Sequence, residues 1–120
     1  MSLRGAAVNP KILVSLLTQA QAYQRMEAKA ACDTGSRESV DVEVVFAQNS
    51  STLQAQQLLT RIKAPLEERP VGIVIATVAA EGLQLVAREA VLGGIGWVLL
   101  SSRPPYVDYL AAEFPSVPVS

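Results

Sequence analysis

The chain contains no histidine among its 120 residues, which removes the side chain most used as a general base and as a metal ligand. Its single cysteine, Cys32, excludes an internal disulfide and any multi-cysteine zinc site. Set beside Ala30 and Ala31 near an expected helix end, Cys32 reads as a small buried apolar residue. No neighbour stands ready to activate its thiol. Charge of one sign is also missing: 10 Lys and Arg stand against 11 Asp and Glu, a net charge of −1. There is no basic patch for a phosphate backbone, so nucleic acid is not expected to contact this segment. No apolar run approaches the roughly 20 residues of a spanning helix. The stretch from Met1 to Pro10 holds one basic residue and no long apolar centre, so it is not a signal peptide. What is present is apolar: half of the residues, enough for one domain with an ordinary core.

The best-punctuated stretch runs from Pro70 to Ser102. Gly72 to Ala76 is a short unbroken apolar run, as expected of a parallel strand covered on both faces. Leu83, Val86, Ala87, Ala90 and Val91 recur at the spacing of a helix laid on a sheet. Gly93-Gly94 can end that helix, and Trp97 to Leu100 reads as a second buried strand.

Five further elements fit around this unit. Lys11 to Leu17 predicts a first strand, entered from Asn9-Pro10. A helix is expected from about Gln21 to Asp33, with Tyr23, Met26 and Ala30 on one face and Gly35 as its stop. Val40 to Phe46 predicts a strand whose Asp41 and Glu43 face one way and whose valines face the other, which suits a sheet edge. Ser51 as N-cap and Gln54 three residues later have capping-box spacing, and Ala55, Leu58, Leu59 and Ile62 form the stripe that follows, closed by Pro65. A last helix is expected over Tyr106 to Phe114, with Val117-Pro118-Val119 as a further extended piece. Regular alternation of strand and helix implies an α/β fold of the flavodoxin-like, Rossmann-like kind. The expected sheet is parallel, ordered 2-1-3-4-5, with helices on both faces. Residues 1–10 read as an extension and 11–120 as one lobe.

In such sheets ligands meet the chain past the carboxyl ends of the strands. A phosphate-cradling loop is missing there. Gly93-Gly94-Ile95-Gly96 lies between a helix and the next strand, and the first strand–helix turn has no glycine. A metal-dependent phosphoacceptor would need acids where Thr18, Gln19 and Thr77 stand. Ser15, Ser101 and Ser102 have no base to make them nucleophiles. No catalytic residue, metal ligand or cofactor is therefore assigned. The strand ends share one property instead, being polar and mostly uncharged. They carry Thr18, Gln19, Gln21, Tyr23 and Gln24, then Gln48 and Asn49, then Thr77, then Ser101, Ser102 and Arg103. Amides and hydroxyls that donate and accept suit a neutral polyhydroxylated ligand, and Tyr23 could cover the apolar side of a sugar ring. The same residue types also cap helices and satisfy loop backbones.

With these stretches in place the chain resembles the amino-terminal lobe of type I periplasmic sugar-binding proteins, the ribose-binding-like solute receptors of ABC transporters. The resemblance runs from about Lys11 to Ser120, over KILVSLLTQAQAYQ, VEVVFAQNSSTLQAQQLL, the Pro70–Ser102 unit and VDYLAAEFPSVPVS. It implies that Gln21 and Tyr23 line a ligand cleft, with Gln21 where an asparagine is usual and Ala20 where a polar residue is common. It implies a sugar-type ligand, a transporter permease as partner and a periplasmic location, with the cytoplasm as the alternative. Effector domains of lac-repressor-type regulators share the fold and are the runner-up. The sequence stops about where a first crossing to a second lobe is expected, which reads as a fragment or short form. The edge near Val98 to Leu100 and the piece Val117 to Val119 would then be poorly covered, and a homodimer is expected.

Overall fold

The computed structural model describes residues 9–79, 82–100 and 103–120. Strand β1 (Lys11–Leu16) pairs in parallel with β2 (Asp41–Phe46) and with β3 (Gly72–Ile75), and β3 pairs in parallel with β4 (Gly96–Leu99). The order is β2-β1-β3-β4, so the charged strand lies at the edge, as its composition requires. The fifth position is filled by a single parallel bridge, Val119 to Trp97, rather than by a full strand. Trp97 N–H donates to Pro118 O at 2.9 Å, and Ser120 N–H donates to Trp97 O at 2.9 Å. Pro118 has no N–H of its own, which limits how far this pairing can extend. The edge of β4 is thus partly covered by the chain's own stub.

Helices α1 (Ala22–Glu38), α2 (Ser51–Ile62), α3 (Gln84–Leu92) and α4 (Pro105–Glu113) connect and flank the strands. The expected stripes of α2, α3 and α4 all face the same side. Leu58 and Ile62, then Val86, Ala87, Ala90 and Val91, then Val107 and Leu110 join Leu13, Ile73, Ile75 and Trp97 in one core. Trp97 is fully buried, and its indole N–H donates to the Tyr106 hydroxyl at 3.3 Å. Burial raises the pKa of that phenol, partly offset by this hydrogen bond. On the opposite face, among the described residues, α1 packs over a smaller cluster of Val14, Leu16 and Ala76.

Helix α1 departs from its expected form in four ways. It runs through Gly35 to Glu38 and ends at Ser39, whose φ of 58° is left-handed. Gly35 is there for closeness, since a Cβ at that position would lie 2.5 Å from Val42 Cγ2 and 2.8 Å from Val40 O. Tyr23 and Met26 point to solvent, while Gln24, Ala28, Ala31 and Gly35 turn inward. Cys32 lies exposed on the outer side, not buried, one turn beyond Lys29. The cap of α2 is also one residue earlier than expected: Ser50 Oγ accepts from Leu53 N–H at 3.1 Å. The amide of Gln54 serves the strand ends instead of a capping box.

Candidate functional site

Parallel topology brings the carboxyl ends of all four strands to one rim of the sheet. Two polar side chains inside the fold set its shape. Gln54 is fully buried on α2; its Nε2 donates to Ser15 Oγ at 2.9 Å and to Ala76 O at 3.0 Å, and its Oε1 accepts from Val78 N–H at 3.0 Å. One amide therefore ties β1 to the turn that follows β3 and fixes the backbone around Thr77. Gln24, almost fully buried, accepts from Leu17 N–H at 2.8 Å and donates to Glu27 Oε1 at 2.9 Å. It was expected to meet ligand, but both ends of its amide are occupied within the fold, where it holds the turn after β1.

The exposed groups of the rim sit on this frame. Gln48 and Asn49 both have left-handed backbones, φ 54° and 56°, held by Asn49 N–H donating to Leu17 O at 2.9 Å. That turn carries Gln48 across to the first loop, where its Nε2 donates to Gln19 Oε1 at 2.9 Å. Gln21 is the N-cap residue of α1 and makes no side-chain capping bond, so its amide is not needed by the helix. Tyr23, one residue into α1, is 65% exposed. Thr77 is half-buried after β3. Arg103, past β4, is exposed and paired with Asp108 at 2.7 Å. Thr18 is buried and its hydroxyl accepts from Ala20 N–H at 3.2 Å, a loop-stabilising role. Ser101 and Ser102 lie outside the described residues.

Sequence reasoning missed two contributors. Arg25 Nη1 donates to Gln19 O at 2.7 Å and braces the loop from one turn inside α1, a spacing visible only once the helix start is known. Asp108 holds Arg103, and its place five residues beyond that arginine gave no pattern to read. Among the described residues no three His, Cys, Asp or Glu side chains converge to hold a metal ion. The rim offers paired amides, hydroxyls, one open aromatic face and a neutralised ion pair. Such groups can bind a ligand by hydrogen bonding and stacking.

No protein-family model matches the chain, and no curated protein matches it. Solved structures do. An ABC transporter solute binding protein from Mycobacterium smegmatis, with bound glycerol, matches at 20% identity with a TM-score of 0.70, over 79% of this chain and 32% of that one. A solute binding protein of the same kind from Burkholderia multivorans matches at 20% identity and TM-score 0.71, over 93% of this chain and 39% of its own. A Caulobacter myo-inositol binding protein, bound to myo-inositol, matches at 16% identity and TM-score 0.67, over 96% and 43%. At such identities the likeness is one of fold. The chain has the architecture of part of an ABC transporter solute-binding protein and spans between 32% and 43% of the length of these three.

Proposed function

We propose that the chain is a solute-binding lobe whose ligand is a small, neutral, polyhydroxylated molecule of the sugar or cyclitol class. The observation that carries this reading is the Gln19–Gln48 amide pair, held at the strand ends by two left-handed residues and open to solvent. Beside it stand Gln21, Asn49 and Thr77 as donors and acceptors, and Tyr23 as a face for the C–H side of a ring. Arg103 is neutralised by Asp108, so the rim does not favour an anionic ligand. The solved neighbours support the reading, since one has glycerol bound and another myo-inositol. A binding role, not an enzymatic one, and a periplasmic setting go with it. So do two partners: a transporter permease, and a second copy of this chain met along the outer side of the Val119 stub.

A single lobe leaves one side of the ligand in water, where each hydrogen bond nets only about 0.5–1.5 kcal/mol. Calorimetry with neutral aldoses and myo-inositol should therefore give dissociation constants no tighter than about 1 mM, equivalent to about 4 kcal/mol. Sugar phosphates and nucleotides should bind no better. Tighter binding of the phosphorylated compounds than of the neutral ones would overturn the neutral-ligand reading.

A further inference from the structure

The peptide unit between Gln19 and Ala20 is held at both of its polar ends. Arg25 Nη1 donates to Gln19 O at 2.7 Å, and Ala20 N–H donates to Thr18 Oγ1 at 3.2 Å. Together these bonds set the plane of the peptide, and with it the direction in which the Gln19 side chain leaves the loop. Gln48 then holds that side chain at its tip, where Nε2 donates to Gln19 Oε1 at 2.9 Å. Thr18 is buried, but Gln19, Arg25 and Gln48 are all exposed. Long exposed side chains sample several rotamers, and confining them costs conformational entropy. Arg25 also stands where a cation is unfavourable. It is the fourth residue of α1, with no acidic residue in the first turn to offset it. A helical side chain leans back toward the amino end, where the macrodipole is positive. None of the ion pairs among the described residues includes Arg25. The helix gains nothing from this charge; the Gln19 carbonyl does.

We propose that Arg25 is a positioning residue of the rim. It holds the Gln19–Ala20 peptide so that the Gln19 amide meets Gln48, and the two amides then present a fixed donor and a fixed acceptor to a hydroxylated ligand. The polarity follows from the bond between them. Because Gln48 donates to Gln19 Oε1, Gln19 Nε2 is left to donate and Gln48 Oε1 to accept. With both orientations set in advance, a ligand does not have to order them, and ordering side chains is one of the main losses on binding. What these amides bind rests on the ligand reading above, but their ordering does not depend on any ligand.

The test compares the isotope-labelled full chain with Arg25→Ala and Arg25→Lys. Without ligand, the side-chain NH2 signals of Gln19 and Gln48 should collapse in Arg25→Ala toward those of free exposed glutamines. Arg25→Lys keeps a donor of similar reach and should restore them in part. Titration with myo-inositol should show binding weakened about threefold to tenfold in Arg25→Ala, the effect of ordering one or two long side chains on binding. The melting temperature should stay within about 3 °C of the parent, as for an exposed surface change. A residue serving only the fold would instead lower the melting temperature and leave the glutamine signals in place. Unchanged Gln19 and Gln48 signals in Arg25→Ala, or a melting temperature lower by more than that margin, would overturn the proposal. A parent chain that takes up no sugar or inositol at the rim sinks the ligand reading instead, while the ligand-free glutamine signals still decide the role of Arg25.

Discussion

Gln54 shows how much a single polar residue can organise. It is fully buried and uses both amide donors and its acceptor on three groups, one on strand β1 and two in the turn that follows β3. Replacing it with leucine keeps the volume but leaves the Ala76 carbonyl, the Val78 N–H and the Ser15 hydroxyl without their partner. An unpaired buried polar group costs about 1–3 kcal/mol. Gln54→Leu should therefore lower stability by about 2–4 kcal/mol in urea unfolding, with an unchanged dependence on urea. A loss below about 1 kcal/mol would mean that water replaces the amide at no great cost. The spacing of Ser51 and Gln54 suggests a helix cap; nothing in a single sequence distinguishes a capping glutamine from one that reaches two strand ends. Gln24 misled in the same way. Its position at the strand end was legible, but its direction, toward Leu17 N–H and away from solvent, depends on tertiary packing.

At the level of elements, α2, α3 and α4 were readable because each lays a wide apolar stripe on a face that is fully covered. Helix α1 was not, because its inward face is built from small residues and one amide: Gln24, Ala28, Ala31 and Gly35. Size, not hydrophobicity, sets how near α1 lies to β2, and the larger Tyr23 and Met26 are left outside. Gly35→Ala separates the two effects. Alanine favours a helix by about 1 kcal/mol, but its methyl would overlap Val42 and Val40 O, and overpacking costs typically about 1–3 kcal/mol. The expected net result is a melting temperature lower by several degrees. A higher one would show that α1 can move off β2 without loss.

For the whole molecule, the alternation of strands and helices made the parallel sheet and its 2-1-3-4 order legible, and with them the rim where polar loops gather. At the fifth position there is one bridge: Pro118, having no N–H, offers no donor on its amino-terminal side, while its carbonyl and Ser120 still pair with Trp97 and Leu99. What topology could not reveal is which rim residues face outward: Gln19, Gln21, Tyr23, Gln48 and Asn49 do, while Thr18 and Gln24 turn in. The central claim is that this outward set forms half of a sugar site. Amide-shift mapping of the isotope-labelled chain, titrated with ribose and myo-inositol at millimolar concentration, tests it most directly. The account predicts fast-exchange shifts confined to the loops around Gln19, Gln21, Gln48 and Thr77, extending to Arg103. Saturable shifts at the opposite, amino-terminal ends of the strands, or no shifts at the rim at concentrations well above 1 mM, would contradict it.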